Sequence, residues 1–296
     1  MFEAVKQGHF NVVRFLIENG VGVDAILGNL GEGTALHIAA FCGHLEIVKF
    51  LVEKGADIDM DVKGVWGRRR AVHDAIKGGG HLDIIKLLVQ SGADYITGAG
   101  YRYQTTLHIA AESGHLDLVK FLLEEGIDMN VQDHTGRSAI HYAVIEGRED
   151  IVRFLVEKGA AVDLEDSSAT AAYVNAVKGG QLNVLKCLFS AGANIDMNRS
   201  LYLAALNGHL DIVKFLADRG ADINAKLDRY DKTTALHGAA YSGKLDIVQF
   251  LVKKGADVNA ENALGQTAAR IWGDRDTIGF LTDQGDSLVN QTDNTH

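Results

Sequence analysis

GHLEIVKFLVEKGADI, at residues Gly43–Ile58, is the stretch of sequence that decides the fold. Its apolar side chains recur at the three- and four-residue spacing of one helical face, and charged side chains fill the positions between them. Gly55 stands after the last turn, where a residue with a left-handed backbone commonly ends a helix. The stretch therefore predicts an amphipathic helix that is closed by a glycine.

This stretch is a repeat, and the glycine that opens each copy is called the framework glycine below. Further close copies begin at Gly80, Gly114, Gly147, Gly180, Gly208 and Gly243, and weaker copies begin at Gly8 and Gly273. Successive framework glycines are about 33 residues apart on average, a period typical of repeat architectures. The chain has 33 glycines and no proline, so glycine is predicted to provide the turns.

A second, shorter helix is predicted before each framework glycine. Its motif reads TALHIAAFC from Thr34, TTLHIAAES from Thr105, SAIHYAVIE from Ser138 and TALHGAAYS from Thr234. Thr and Ser are favoured N-cap residues. The histidine of the motif is predicted to bind the capping hydroxyl and the backbone of the next repeat, which gives it a structural role rather than a catalytic one.

These motifs resemble those of the ankyrin-repeat family: T-x-L-H-x-A-A, then G-H-L-[DE]-[IL]-V-K-F-L, then G-A-D-[IV]-[ND]-A. One systematic departure is that the proline of the family's T-P-L-H motif is replaced by Ala35, Thr106, Ala139 and Ala235. The resemblance implies an all-α solenoid of about nine helix–turn–helix units with β-turn fingers between them. It places one solenoid at 1–285, with cap units at 1–30 and 263–285, seven internal units at 31–262, and a polar, frayed tail at 286–296.

Composition excludes several classes of protein. The 296 residues include 29 basic and 39 acidic side chains, a net charge of −10 that argues against nucleic-acid binding. The sequence has neither an apolar run long enough for a membrane span nor a charged-then-apolar leader. Cys42 and Cys187 are too few for a disulfide framework or a structural zinc site, and they favour the reducing cytoplasm.

Binding residues are predicted in the fingers, where Trp, Tyr and Arg interrupt an acidic chain, because these residue types dominate binding hot spots. The predicted contact residues are Trp66, Arg68, Arg69, Tyr101, Arg102, Tyr103, His134, Arg137 and Tyr230. The alternative is that the aromatic rings pack against adjacent fingers and that the charges are merely solvated. Both interpretations remain open at the level of sequence.

A second set of contact residues is implied by the resemblance to the family, which places the residues just before each framework glycine on the concave groove. Phe41, Ile145 and Tyr241 are apolar at this position, where a solvated groove would favour polar residues. They could equally be tucked against the helix of the next repeat. One finger is also predicted to be shortened, because Gly180 and Gly208 are only 28 residues apart, which leaves no room for a full finger.

No motif in the sequence combines a nucleophile, a base and an orienting group, and no glycine-rich loop follows a strand, so we expect no enzyme activity, cofactor or metal. We expect a non-catalytic, monomeric module that binds a protein or peptide with acidic or aromatic segments. Two alternatives are an inhibitor or recruiter of an enzyme, such as a microbial effector, and a self-associating scaffold.

Overall fold

A computed structural model of the protein describes residues 1–28, 33–64, 67–99, 102–163, 165, 171–271 and 274–292. Contacts within the chain divide it into two compact units, residues 1–172 and residues 173–296. Each unit is built from pairs of helices joined by short turns, as the repeat predicts.

The first unit contains five such helix pairs and one short hairpin. Its helices are α1 (Phe2–Lys6), α2 (Phe10–Glu18), α3 (Ala35–Cys42), α4 (Leu45–Glu53), α5 (Ala71–Lys77), α6 (Leu82–Gln90), α7 (Thr106–Ser113), α8 (Leu116–Glu124), α9 (Ala139–Ile145) and α10 (Glu149–Glu157). Its strands are β1 (Val62–Gly64) and β2 (Gly67–Arg69). The odd-numbered helices pack side by side in one row from α1 to α9.

The amphipathic pattern determines which face of α4 is buried. Ile47, Val48 and Leu51 are fully buried, whereas Lys49 is exposed. Gly55 follows with φ 80°, the left-handed conformation predicted for the helix end. The sequence pattern of the repeat is therefore sufficient to explain this helix and its termination.

The histidine of the shorter helix is a structural hydrogen-bonding residue, as predicted. The Thr105 hydroxyl and backbone N–H both donate to Nδ1 of His108, at 2.9 and 3.0 Å. The proton of His108 therefore lies on Nε2, which donates to the carbonyl of Val131 in the next repeat at 2.9 Å. His237 makes the same pair of contacts with Thr234 and Gln266. Capping within one repeat is thus coupled to stacking between repeats.

The histidine that follows the framework glycine reaches back to the preceding repeat. His44 Nε2 donates to the Lys6 carbonyl at 3.0 Å, and His81 Nε2 donates to the Phe41 carbonyl at 3.1 Å. The ring of His81 also fills the space beside Gly43, where a Cβ would lie 2.6 Å from Cε1. A side chain at Gly43 would therefore displace the His81 ring, which donates a hydrogen bond to the Phe41 carbonyl.

The fingers contain short antiparallel pairings. β1 pairs with β2, with Val62 opposite Arg69 and Gly64 opposite Gly67. Single bridges occupy other fingers and join Leu27 to Gly33, Ala99 to Gln104, Glu165 to Ala171 and Leu227 to Thr233. The finger with three arginines is therefore the most regular of those described.

The second unit is formed by the remaining helices. They are α11 (Ala172–Lys178), α12 (Leu182–Ser190), α13 (Met197–Asn207), α14 (Leu210–Asp218), α15 (Ala235–Tyr241), α16 (Leu245–Lys253) and α17 (Arg275–Thr292), with 3-10 turns at Asp228–Tyr230 and Ala268–Arg270. The α17 helix extends to Thr292. None of the described helices combines the length and apolar character needed to cross a lipid bilayer.

Where a shortened finger is predicted, the described residues before α13 form none. Instead of a finger, Asp196 begins this longer helix, and its carboxylate accepts a hydrogen bond from the Arg199 backbone N–H at 2.9 Å. Tyr202 occupies the histidine position of this helix, and Gly238 lies against its ring in α15. Cys187 in α12 is half-buried, whereas Val184, Leu185 and Leu188 of the same helix are buried.

Candidate functional site

The residue after the motif histidine forms the floor of a groove along α3, α5 and α7. Ile38 and Ile109 occupy this position in the outer two helices, and Asp74 occupies it in the middle helix. Asp74 is only 5% exposed, whereas a carboxylate is rarely buried unless it is paired. The groove floor therefore contains one acidic group between two isoleucines.

Arg69 pairs with this acid from the end of β2. Its Nε lies 2.9 Å from Oδ1 and donates to Oδ2 at 3.0 Å. Burial raises the pKa of Asp74 from its ordinary value of 3.8 to about 6, although the charge of Arg69 acts in the opposite direction. Burial also lowers the pKa of His73 to about 3. At neutral pH, Asp74 is therefore ionised beside a neutral imidazole.

A cavity of about 720 Å³ lies above this pair. Its described lining comes from three successive repeats: Phe41, Gly67, Arg68, Arg69, His73, Asp74, Lys77, Ala99, Arg102, Gln104, Ile109 and Glu112. The volume lies in the range of sites that bind small molecules or peptide side chains. The structure therefore brings Phe41, Arg68, Arg69 and Arg102, which the sequence placed on different segments, into one cavity.

The charge of this cavity is opposite to that of the whole chain. Arg68, Arg69, Lys77 and Arg102 face it, against the two carboxylates of Asp74 and Glu112. The Arg68 side chain is 69% exposed, and its contact with Asp61 is a long one at 3.6 Å. Lys77 and Arg102 are also exposed. The rim is therefore a basic patch on a chain with a net charge of −10.

A smaller cavity of about 280 Å³ adjoins the first on the side of the first repeat. Phe41, Arg69 and Asp74 line both cavities, so the two are continuous over the ion pair. The rest of the smaller lining consists of the apolar residues Phe2, Ile38 and Cys42, together with His37 and the exposed Lys6. Burial lowers the pKa of His37, which also lines it, to about 4, so this ring is neutral at pH 7.

Phe41 lines both cavities, and its backbone is fixed by contacts with the next repeat. Its side chain is 50% exposed, while its carbonyl accepts the hydrogen bond from His81. A Cβ at Gly78 would collide with the same carbonyl, so the extra glycine of the third repeat allows α3 to approach closely. The aromatic wall between the cavities is therefore fixed at its base.

Arg70, the third arginine of this finger, has a structural contact. Its Nη1 lies 2.8 Å from Oδ2 of Asp94 and donates to the Asp94 carbonyl at 3.1 Å. Its Nε lies 3.4 Å from Oδ1 of Asp61. Arg70 stands at the N-cap of α5 and links its own finger to the next one.

Two of the predicted contact residues join adjacent finger tips. The rings of Tyr103 and His134 are stacked with centroids 4.0 Å apart, and the His134 backbone N–H donates to the Arg102 carbonyl at 3.0 Å. Tyr103 has φ 54°, a conformation uncommon for a residue with a side chain. Its ring nevertheless remains 52% exposed. The stack therefore leaves one face of an aromatic ring at the surface.

Arg137 lies at the base of the same finger. Its backbone N–H donates to Oδ1 of Asp133 at 3.0 Å, and Oδ2 of Asp133 accepts the Tyr142 hydroxyl at 2.6 Å. Burial and the Asp133 carboxylate raise the pKa of Tyr142 to about 12. This network fixes the finger to α9.

Ile145, Tyr230 and Tyr241 are not among the described residues that line the two cavities. Ile145 at the end of α9 is 37% exposed, and Tyr241 at the end of α15 is 62% exposed. Tyr230 is half-buried, with its ring 4.7 Å from that of Tyr202. Trp66 and Tyr101 lie outside the described residues.

Asp74 and Lys77 line the larger cavity but were not predicted from the sequence. The signal for Asp74 was present, since His73 is followed by an acid where His37 and His108 are each followed by isoleucine. This replacement of isoleucine by Asp74 was overlooked because the rest of the motif matches the repeat. Among the described residues, no group of three or more His, Cys, Asp and Glu side chains could hold a metal ion. Burial raises the pKa of the Cys42 thiol, which disfavours its reactive thiolate form.

Comparison with known proteins agrees with this architecture. The model of the family described as ankyrin repeats (3 copies) matches residues 1–99, 72–166, 173–262 and 201–292. The chain belongs to the ankyrin-repeat family, and its fold is the all-α arrangement of these repeats. No curated protein matches the sequence.

A crystal structure of the human ASB11 ankyrin repeat domain is similar to this chain. The two are 26% identical, with a TM-score of 0.63, over 72% of this chain and 97% of that domain. Ankyrin repeats generally mediate interactions between proteins, and such domains are typically not catalytic.

Proposed function

We propose that the protein is a non-catalytic module that binds a protein or peptide partner through the groove and fingers of residues 1–172. One observation carries this proposal: the cavity of about 720 Å³ is lined by three successive repeats and is basic in an acidic chain. An arrangement needed only for stacking would not require four cations around one opening. The partner would therefore offer acidic groups to the rim.

The residue types around the groove support the same function. Arginine and aromatic side chains contribute most of the energy in protein interfaces, above all where they surround a pocket. Phe41 and Tyr103 combine large exposed rings with fixed backbones, so binding would cost little conformational entropy. We further propose that the module acts as a monomer in the cytoplasm, where Cys42 and Cys187 would remain reduced.

Affinity capture with charge-reversed variants tests this function. The test variant is Arg68→Glu combined with Lys77→Glu, which reverses two exposed cations of the rim. The control is Arg14→Glu combined with Lys49→Glu, which makes the same charge change on exposed positions of α2 and α4. Both should keep the wild-type circular dichroism and thermal midpoint, because surface substitutions rarely change stability by more than about 0.5 kcal/mol.

A partner retained by the wild type and by the control, and lost by the rim variant, would support the proposal. Equal capture by all three proteins would contradict it. Light scattering on the same samples would detect self-association, and a dimer that the rim variant abolishes would indicate the scaffold function instead.

A further inference from the structure

We propose that the two adjoining cavities bind a single extended acidic peptide segment, which places an apolar side chain in the smaller cavity and carboxylates on the rim of the larger one. This inference rests on the proposed function and specifies the chemistry of its partner.

The smaller cavity fits an apolar side chain. Phe2, Ile38 and Phe41 contribute rings and an aliphatic chain to a space of about 280 Å³. His37 is neutral there at pH 7, since burial lowers its pKa to about 4. Lys6 also lines this cavity but is exposed, so its ammonium group remains hydrated. A charged partner side chain placed among the apolar residues would lose hydration, whereas an apolar side chain would gain by leaving water.

The floor between the cavities fits uncharged peptide backbone. Arg69 and Asp74 neutralise each other there at 2.9 Å, and both line the two cavities. A partner carboxylate placed at this point would approach the buried Asp74 carboxylate and be repelled. The acidic groups of the peptide are therefore directed beyond the ion pair, toward the outer rim.

The outer rim fits carboxylates. Arg68, Lys77 and Arg102 are exposed around the larger cavity, and guanidinium groups bind carboxylates through paired hydrogen bonds. Glu112 lies on the far wall, where it accepts a hydrogen bond from Nε2 of Gln104 at 3.4 Å. This acid would disfavour a further negative charge, so it limits how far the acidic part of the peptide extends.

Selection from a random peptide library displayed on phage tests the inference directly. Peptides selected on the wild-type protein should contain an apolar residue followed or preceded by Asp or Glu at a recurring spacing. Selection on the variant Arg68→Glu combined with Lys77→Glu should instead enrich Lys and Arg, because reversal of the rim charge reverses the preferred partner. Enrichment of neutral or basic peptides on the wild type, or of no peptide at all, would overturn the inference.

Synthetic copies of a selected peptide separate the two parts of the site. Replacement of its apolar residue by alanine should weaken binding to the wild type about tenfold, which corresponds to about 1.4 kcal/mol. The variant Phe41→Ala should bind the apolar and alanine peptides with nearly equal affinity. Unequal affinities in this variant, as large as those of the wild type, would remove the smaller cavity from the site.

The result also separates this inference from the proposed function. The rim variant could lose a natural partner while the library peptides selected on the wild type are not acidic. This pair of results would support the proposed function but contradict the acidic-peptide inference. Equal capture by the rim variant and by the Arg14→Glu, Lys49→Glu control would reject the proposed function itself.

Discussion

Arg69 and Asp74 form an ion pair between a finger and a helix, with Arg69 Nε 2.9 Å from Oδ1 and 3.0 Å from Oδ2 of Asp74. Arg69 is the last residue of β2, and Asp74 lies in the buried face of α5. The pair therefore ties the hairpin to the helix that follows it and holds the guanidinium along the groove floor.

Removal of the arginine from this pair should destabilise the protein. In Arg69→Gln, the Asp74 carboxylate would remain buried without its cation, a change that costs about 3 kcal/mol in comparable buried pairs. Urea unfolding near neutral pH measures the loss. Near pH 5 the loss should be smaller, because Asp74 can then become neutral by protonation.

Two further variants serve as controls for this prediction. Arg68→Gln should change the free energy of unfolding by less than about 0.5 kcal/mol, since an exposed pair contributes little. Asp74→Ile introduces the residue of the neighbouring repeats and should cost less than Arg69→Gln, because the cation that it leaves behind is 29% exposed and can be hydrated. A loss in Arg68→Gln as large as that in Arg69→Gln would show that burial is not the cause.

Stability should fall on acidification, because buried histidines oppose protonation. The pKa of His37 is lowered by burial from 6.5 to about 4, so the unfolded chain binds the proton first. The contribution of His37 to the free energy of unfolding is complete above about pH 6.5. It declines toward pH 4 by roughly 3 kcal/mol. Burial lowers the pKa values of His108 and His237 in the same direction.

Asp74 should oppose this trend, since its pKa is raised by burial from 3.8 to about 6 in the folded state. Between these values the folded protein binds the proton more readily, so the contribution of Asp74 to stability decreases as pH rises through this interval. Asp74→Asn should therefore steepen the loss of stability on acidification, and His37→Gln should reduce it. Urea unfolding from about pH 7 to about pH 4.5 measures both slopes, and parallel slopes in all three proteins would contradict the assignment.

Gly238 should tolerate a larger side chain only if Tyr202 is shortened. A Cβ at Gly238 would lie 3.1 Å from Cε2 of Tyr202, closer than ordinary packing allows. Gly238→Ile should therefore cost about 1–3 kcal/mol by overpacking. The same change in a Tyr202→Ala background should cost much less. Thermal unfolding of the wild type, the two single variants and the double variant measures the coupling free energy between the two positions. Strictly additive losses of stability would exclude contact between the two residues.

The start of α13 should depend on the Asp196 side chain. Its carboxylate accepts the Arg199 backbone N–H at 2.9 Å, at a point where no finger precedes the helix. Asp196→Ala should cost about 1 kcal/mol of stability, whereas Asp196→Asn should retain most of the cap. Urea unfolding distinguishes the two variants. Equal stability of the alanine variant and the wild type would show that the cap is dispensable.

The repeat pattern predicted most of the fold because each helix satisfies local rules. The buried stripe of α4 and the glycine that ends it follow from the spacing of Ile47, Val48, Leu51 and Gly55 alone. The 28 residues between Gly180 and Gly208 likewise predicted, from residue counting alone, that no full finger precedes α13. Such features depend on neighbours within one repeat, which a sequence displays directly.

The site was less predictable because its residues come from different repeats. Phe41 and Arg102 line one cavity although 61 residues separate them. The stack of Tyr103 on His134 depends on a left-handed backbone at Tyr103, for which its side chain gives no sequence signal. Prediction of the finger residues identified suitable residue types, but their grouping required the packed repeats.

Four framework glycines, Gly8, Gly43, Gly80 and Gly180, each lie against the histidine ring of the next repeat, and this pairing restricts how the chain can change length. Gly8 receives the ring of His44, and Gly43 receives the ring of His81. Duplication of one whole repeat, about 33 residues, would add one glycine and one ring and leave every match intact. Duplication of half a repeat would part a glycine from its ring and leave a helix-terminal carbonyl without its donor. Such a chain can therefore gain or lose whole repeats and keep every contact between a glycine and the ring of the next repeat.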